Sequence, residues 1–197
     1  DHVATIRNAR GSVHPNPLKF AIKAMKYGAS SVTIHLREDR RHIKDFDVQK
    51  ICKNKKIPVN LEISLNQKIL KVALKNKPNF VCIVPENRKE ITTEGGLNLV
   101  KNKIKIKKIV SIFNKNKIRT SLFINPNLKD VKISKEWNAK CIEVHTGKLS
   151  NLVKENKSYS FELNKIKKSS KLAYSLGLEV HAGHGLDYKT SKILTKI

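Results

Sequence analysis

A succession that returns along the chain restricts its fold more than anything else in the sequence: a helical pattern, a short turn, then an apolar run that closes on histidine. "NPLKFAIKAMKYG" (16–28) leads into "TIHL" (33–36), and the same order returns in "KLAYSLGLEVHAG" (171–183) and more loosely in "KEWNAKCIEVHTG" (135–147). In the first of these Asn16 is placed as an N-cap and Pro17 suits the first turn. Leu18, Ala21, Ile22 and Met25 share one face, and Gly28 lies just past the end. Further apolar runs at 57–63, 79–85 and 118–124 are separated by helical patterns. Six strands alternating with helices imply parallel βαβ units, whose right-handed crossovers put the helices outside the sheet.

Parallel strands covered on both faces read as nearly unbroken hydrophobic runs, and these strands do not. Side chains alternate faces with period two, so Ile34 and Leu36 oppose Thr33, His35 and Arg37. The same parity sets Asn60 and Glu62 against Leu61 and Ile63, sets Glu143 and His145 against Ile142 and Val144, and puts His181 with Glu179. The polar side therefore faces away from the covering helices. In a closed (β/α)8 TIM barrel that side is the interior, and catalysis occurs at its C-terminal rim. The expected fold is α/β, a TIM barrel forming a single domain over residues 1–197. A chain of 197 residues, 39% hydrophobic, can bury one sizeable core, and no Pro/Gly/Ser linker divides it.

The net charge of +25 raises a nucleic-acid reading. Arginine, however, supplies only 7 of the 41 basic residues, and the lysines interleave with apolar residues at helical spacing, as in "KNKIKIKKIVSIFNKNKIR" (101–119). Aromatic residues make up 6% and form no ladder on which bases could stack, so no nucleic-acid partner is expected. No apolar run approaches the roughly 20 residues that span a bilayer, and no charged-then-apolar leader opens the sequence, which predicts a cytoplasmic protein without a membrane partner. Cys52, Cys82 and Cys141 are odd in number and far apart, and read as buried free thiols.

The charged run "REDRRH" directly after Leu36 raises the question of what His35 does at a strand end. A lone strand-end histidine is often structural, but a carboxylate such as Glu62 pointing into a barrel is costly unless it is paired or used. Glu38, Asp39, Arg40 and Arg41 could neutralise one another on a surface loop, the reading preferred for the two arginines. In "AGHGL" (182–186) the glycines around His184 would let backbone approach a phosphate, as would Gly95-Gly96 after Thr92-Thr93 at an expected helix start. Strand-end histidines, inward carboxylates and two glycine-rich loops together favour an enzyme acting on small phosphorylated substrates. Another phosphosugar isomerase or aldolase on this barrel, or a basic nucleic-acid-binding protein, are the alternatives.

"DHVATIRNARG" (1–11), "TIHLREDRRHI" (33–43), "VNLEIS" (59–64), "VPENRKEITTEGGL" (84–97), "IEVHTG" (142–147) and "SLGLEVHAGHGL" (175–186) closely resemble the pyridoxine 5'-phosphate synthase family, in family order and over essentially the whole chain. The resemblance implies condensation of 1-deoxyxylulose 5-phosphate with 3-amino-2-oxopropyl phosphate to pyridoxine 5'-phosphate, phosphate and water. It further implies a homo-octamer when full length, with no metal and no organic cofactor. By resemblance His35 and Glu62 are proton acceptors, His184 a proton donor, and Glu143 a stabiliser of the transition state. Substrate contacts would come from Asp1, His2, Arg10, Arg37, His42, Thr92 and Gly185. Against the family pattern, most of the first barrel strand and all of the eighth are not within these residues, so a barrel incomplete at both termini is expected.

Overall fold

A computed structural model describes residues 1–86 and 95–197. The elements in chain order are α1 (His2–Ala9), α2 (Pro17–Lys26), β1 (Val32–His35), α3 (Asp45–Lys53), β2 (Val59–Ile63), α4 (Gln67–Asn76), β3 (Phe80–Ile83), α5 (Lys103–Lys115), β4 (Arg119–Ile124), α6 (Leu128–Glu136), β5 (Cys141–His145), α7 (Gly147–Lys154), α8 (Ser160–Ser175), β6 (Glu179–Gly183) and α9 (Tyr188–Leu194). The chain divides into two compact units, one of Asp1–Arg88 with Ile112–Thr120, the other of Lys89–Ser111 with Ser121–Ile197.

In the first unit β1, β2 and β3 pair in parallel and in chain order. The register sets Ile34 beside Leu61, His35 beside Glu62, and Glu62 beside Cys82. Val59, Leu61, Ile63, Val81 and Ile83 are fully buried, joined by Val48 and Ile51 of α3 and by Ile69 and Ala73 of α4. Each helix thus covers its strands with an apolar stripe, as βαβ crossovers require. Helix α2 starts as its sequence dictates: the Asn16 side chain accepts from the Lys19 N–H at 3.2 Å, and Pro17 occupies the first turn. Gly28 follows with φ +94°, a left-handed backbone that glycine adopts without a Cβ clash. The stripe expected on α2 is narrower in the structure: Pro17 and Ala21 are buried, Leu18 and Met25 half-buried, and Ile22 is 47% exposed.

In the second unit β4, β5 and β6 pair in parallel, again in chain order; β4 begins in the first unit and continues here from Ser121. Leu122, Ile142 and Val144 are fully buried, and α6 packs on α8. Along α5, Ile106, Ile109, Val110 and Phe113 are buried while Lys105, Lys107 and Lys108 are exposed, so these lysines form the solvated face expected of them. The polar parity of the strands is buried unevenly. His35 and Glu143 are 8% exposed, but on β6 both Glu179 and His181 are exposed. Among the described residues β6 pairs only with β5. Among those residues also, no helix is long and apolar enough to cross a membrane.

Candidate active site

Strand register creates the first cluster. Because His35 and Glu62 are paired across β1 and β2 and share the polar parity, their side chains meet, His35 Nδ1 lying 3.7 Å from Glu62 Oε2. On the other side of the ring, Nε2 lies 3.8 Å from Glu86 Oε2. The carboxylate of Asp1 accepts the His35 backbone N–H at 3.0 Å. His42 comes back over the site from the loop after β1, its ring centroid 6.0 Å from that of His35. The Ile43 N–H donates to His42 Nδ1 at 2.8 Å, which requires a free lone pair there. Burial, followed by positive charge at His35, at the Asp1 amino group and at Arg37, pushes the His42 pKa down to about 4, so the imidazole is neutral at pH 7. Asp1, His35 and His42 offer ligand atoms within 4.8 Å of one another, with Asp1 Oδ1 and His42 Nδ1 already accepting backbone N–H groups.

Arg37 is buried and forks onto Asp39, Nε to Oδ1 and Nη2 to Oδ2 both at 3.2 Å, with Glu86 Oε1 3.8 Å from Nη2. Burial works to raise the Asp39 carboxyl, but hydrogen bonds from Arg37 and Arg41 outweigh it and hold it well below the usual carboxylate range. Arg41 pairs with Asp39 at 2.8 Å and Arg40 with Asp45 at 2.9 Å, as expected for a loop that neutralises itself. Glu38 departs from that expectation: its carboxylate accepts from Ser64 Oγ at 2.7 Å and Asn66 Nδ2 at 2.8 Å, tying the loop to the end of β2. Behind the loop, Arg7 and Asp47 form a buried ion pair, with Arg7 Nη2 2.9 Å from Asp47 Oδ2. Asn8 Nδ2 donates to the His42 carbonyl at 2.9 Å, so α1 holds the loop from outside.

The second cluster lies at the ends of β5 and β6. Glu143 is buried, and His184 Nδ1 lies 3.5 Å from its Oε1. Phe123 of β4 packs on His184 with ring centroids 4.2 Å apart and on His145 edge-on at 5.3 Å. His184 and Gly185 both have left-handed backbone, φ +77° and +74°. That conformation is uncommon for a histidine, and Thr146 helps hold it. Its N–H donates to the Gly183 carbonyl at 2.9 Å, and its hydroxyl is 2.6 Å and 2.8 Å from the carbonyls of Gly183 and His184. A Cβ on Gly183 would collide with Glu143 Oε1, so only glycine lets the carboxylate lie over this backbone. "AGHGL" is thus more than a tight turn.

Several sequence expectations change here. His35 and His145 close their strands, but His181 lies in the middle of β6; it pairs with Glu179 at 2.7 Å, and His184 takes the place beside Glu143. Gly95-Gly96 does not open a helix, since α5 begins at Lys103. Instead the Gly96 N–H donates to Asn125 Oδ1 at 2.9 Å, and its backbone packs where a Cβ would strike Ile124 and Asn125. His2 and Arg10 are exposed on α1 and at its C-cap, with no side-chain hydrogen bond or ion pair among the described residues. Thr92 lies outside the described residues. Glu86 is the member that sequence reasoning missed. Counting by twos from Cys82, the register partner of Glu62, passes Val84 and reaches Glu86, so the parity signal was there just past the strand end. The three cysteines are buried and form no disulfide among the described residues, and burial pushes the Cys52 thiol up to about 11.

The first cluster thus holds the His35–Glu62 pair with a clamped arginine beside it, and the second the His184–Glu143 pair over glycine-lined backbone; an imidazole next to a carboxylate is able to exchange protons. Across residues 1–197 the chain matches the family model described as "Pyridoxal phosphate biosynthesis protein PdxJ". It belongs to the PdxJ family. A pyridoxine 5'-phosphate synthase of Pelagibacter ubique (strain HTCC1062) is 72% identical over 197 residues, covering 100% of this chain and 82% of that protein. One of Zymomonas mobilis is 48% identical over 189 residues, 96% of this chain and 73% of that protein. Among solved structures, "QR15, an Aldolase" aligns with TM-score 0.53 at 16% identity, over 99% of this chain and 91% of its own. A Bacillus subtilis HMG-CoA lyase aligns at 0.51 with 16% identity, over 84% and 68%. These two likenesses speak to fold alone; the PdxJ relatives carry the chemistry.

Proposed function

We propose that this PdxJ family member is a pyridoxine 5'-phosphate synthase, joining 1-deoxyxylulose 5-phosphate to 3-amino-2-oxopropyl phosphate and releasing phosphate and water. The observation that carries the reading is the 72% identity with such a synthase over the whole of this chain. Joining an amine to a ketone, dehydrating, eliminating phosphate and closing an aromatic ring each move a proton at a different atom. Several acid and base groups are therefore needed. In this reading His35 and Glu62 accept protons, His184 donates one, and Glu143 stabilises developing positive charge. Arg37 binds a phosphate through its forked donors, joined by Asp1, His2, Arg10, His42, Thr92 and Gly185. Parallel strands that succeed one another in chain order, without the reversal of doubly wound sheets, support a single (β/α)8 barrel as the complete fold. A cytoplasmic homo-octamer that works without metal or organic cofactor completes the proposal.

The test supplies both phosphates to the full-length protein and follows pyridoxine 5'-phosphate and inorganic phosphate. Glu62→Gln is expected to lower turnover by roughly two to four orders of magnitude, the usual worth of a positioned base. Arg37→Ala is expected to raise KM far more than Lys107→Ala on the solvated face of α5. Absence of product from the unsubstituted protein, or cleavage of a sugar phosphate in its place, overturns the reading. Equal effects of the Arg37 and Lys107 changes would mean that general charge attracts the substrate.

A further inference from the structure

Glu86 has no part in the reaction as described above, yet its side chain is only 1% exposed, and among the described residues its polar contacts are with His35, Arg37 and the Glu38 backbone. Its Oε1 accepts the Glu38 backbone N–H at 2.7 Å and lies 3.8 Å from Arg37 Nη2, while Oε2 lies 3.8 Å from His35 Nε2. Since His35 Nδ1 faces Glu62, the imidazole lies between two carboxylates presented from the ends of neighbouring strands. His35 Nε2 and Glu86 Oε2 are both buried, and neither has a hydrogen-bond partner among the described residues. Facing polar atoms left in this state are costly unless opposite charge lies across the gap.

We propose that Glu86 is a positioning residue for His35, a permanent negative charge that fixes the imidazole against Glu62 and stabilises the imidazolium formed when His35 takes a proton from substrate. In that step the substrate keeps the electron pair, a ring nitrogen gains the proton, and Glu86 neither gains nor loses one. Among the described residues the groups around the ring are Glu62 from β2, Glu86 beyond β3, the Asp1 carboxylate before α1 and His42 from the loop after β1, with Arg37 of that loop 3.8 Å from Glu86. Glu62 cannot serve as the constant counter-charge, because as a proton acceptor it becomes neutral during the cycle. Glu86 stays ionised. Burial works to raise its carboxyl, but contact with His35, the Glu38 N–H and the charge of Arg37 hold it below its ordinary value. This inference rests on the proton-acceptor role of His35 in the proposed function.

The experiment compares the full-length protein with Glu86→Gln and Glu86→Asp. It follows the His35 ring signals by NMR in histidine-labelled protein, and kcat and KM as functions of pH. Gln still accepts the Glu38 N–H but carries no charge. It is expected to move the His35 titration to lower pH by about one unit, to move the acidic limb of kcat/KM the same way, and to lower kcat about tenfold to a hundredfold. KM for the two phosphates should stay within about threefold, since binding energy is not what Glu86 supplies. Asp keeps the charge and is expected to keep the unsubstituted limb. An unmoved His35 titration in the Gln variant, or equal damage with unmoved limbs in both variants, overturns the proposal. Should the unsubstituted protein turn over neither phosphate, the proposed function fails, and the NMR arm still decides whether Glu86 sets the state of His35.

Discussion

Around His35 the groups are held by charge, whereas around His184 they are held by shape. The first cluster interlocks Arg37 with Asp39 and Glu86, Arg41 with Asp39, and, behind the loop, Arg7 with Asp47. The second has a Phe123 ring against the imidazole, a glycine whose missing Cβ makes room for Glu143, and left-handed backbone latched by Thr146. A charge-held site can shift by a few tenths of an ångström, but it fails when one partner is removed, because the other is left as an uncompensated buried ion. A shape-held site is indifferent to distant charge and intolerant of a single methyl group.

The largest effect is expected where the charge-held cluster is broken from behind. The side chains of Arg7 and Asp47 are only 7% and 5% exposed, so Arg7→Met strands Asp47 in the interior. The expected loss is about 3–5 kcal/mol of stability, read from urea unfolding. Because Arg7 and Asn8 also hold the carbonyl of His42, substrate affinity should fall with it. A loss below about 1 kcal/mol would mean that the pair is better solvated than its burial implies.

The complementary break adds one methyl group to the other cluster. Gly183→Ala drives a Cβ into Glu143 Oε1, and an expected cost of about 1–3 kcal/mol accompanies displacement of the carboxylate from His184. Turnover should fall at least about tenfold while the charge-held cluster stays intact, as a crystal structure of the variant would check. Unchanged turnover would show that the Glu143–His184 contact at 3.5 Å is dispensable.

A third effect sharpens the contrast through pH. Folded His42 titrates at about 4 against an ordinary 6.5, so between these values the unfolded chain binds a proton that the folded one refuses. Stability is therefore expected to fall as pH drops from about 6.5 to about 4, and to level off at that site below it. His42→Asn should flatten this segment of the stability curve, measured as the urea midpoint at successive pH values. A profile of unchanged slope would remove His42 from the origin of the pH response.

Much of this was legible because strand parity is a local property. His35, Glu62 and Glu143 could be assigned to the polar side by counting in twos, and "AGHGL" marked itself by its paired glycines. The same counting misled at His181, which has the right parity but lies two residues before the end of β6, where no local rule fixes the terminus to that accuracy. It also left out Glu86, because the apolar run ends before the residue that the parity reaches. Ile22 was read as buried because helical periodicity gives the direction of a stripe and not its width, which depends on what packs against it.

The alternation of helices and parallel strands, the buried cysteines, the solvated lysine face and the polar parity of three strands were determined by sequence alone. Each follows from covalent geometry within a dozen residues. Only tertiary structure decided which carboxylates flank His35, that Asp47 answers Arg7 across 40 positions, and that Gly183 exists to make room for Glu143. These are pairings between separate strands and helices, set by register and packing. A residue's own neighbours in sequence carry no record of which distant side chain will arrive within 4 Å of it.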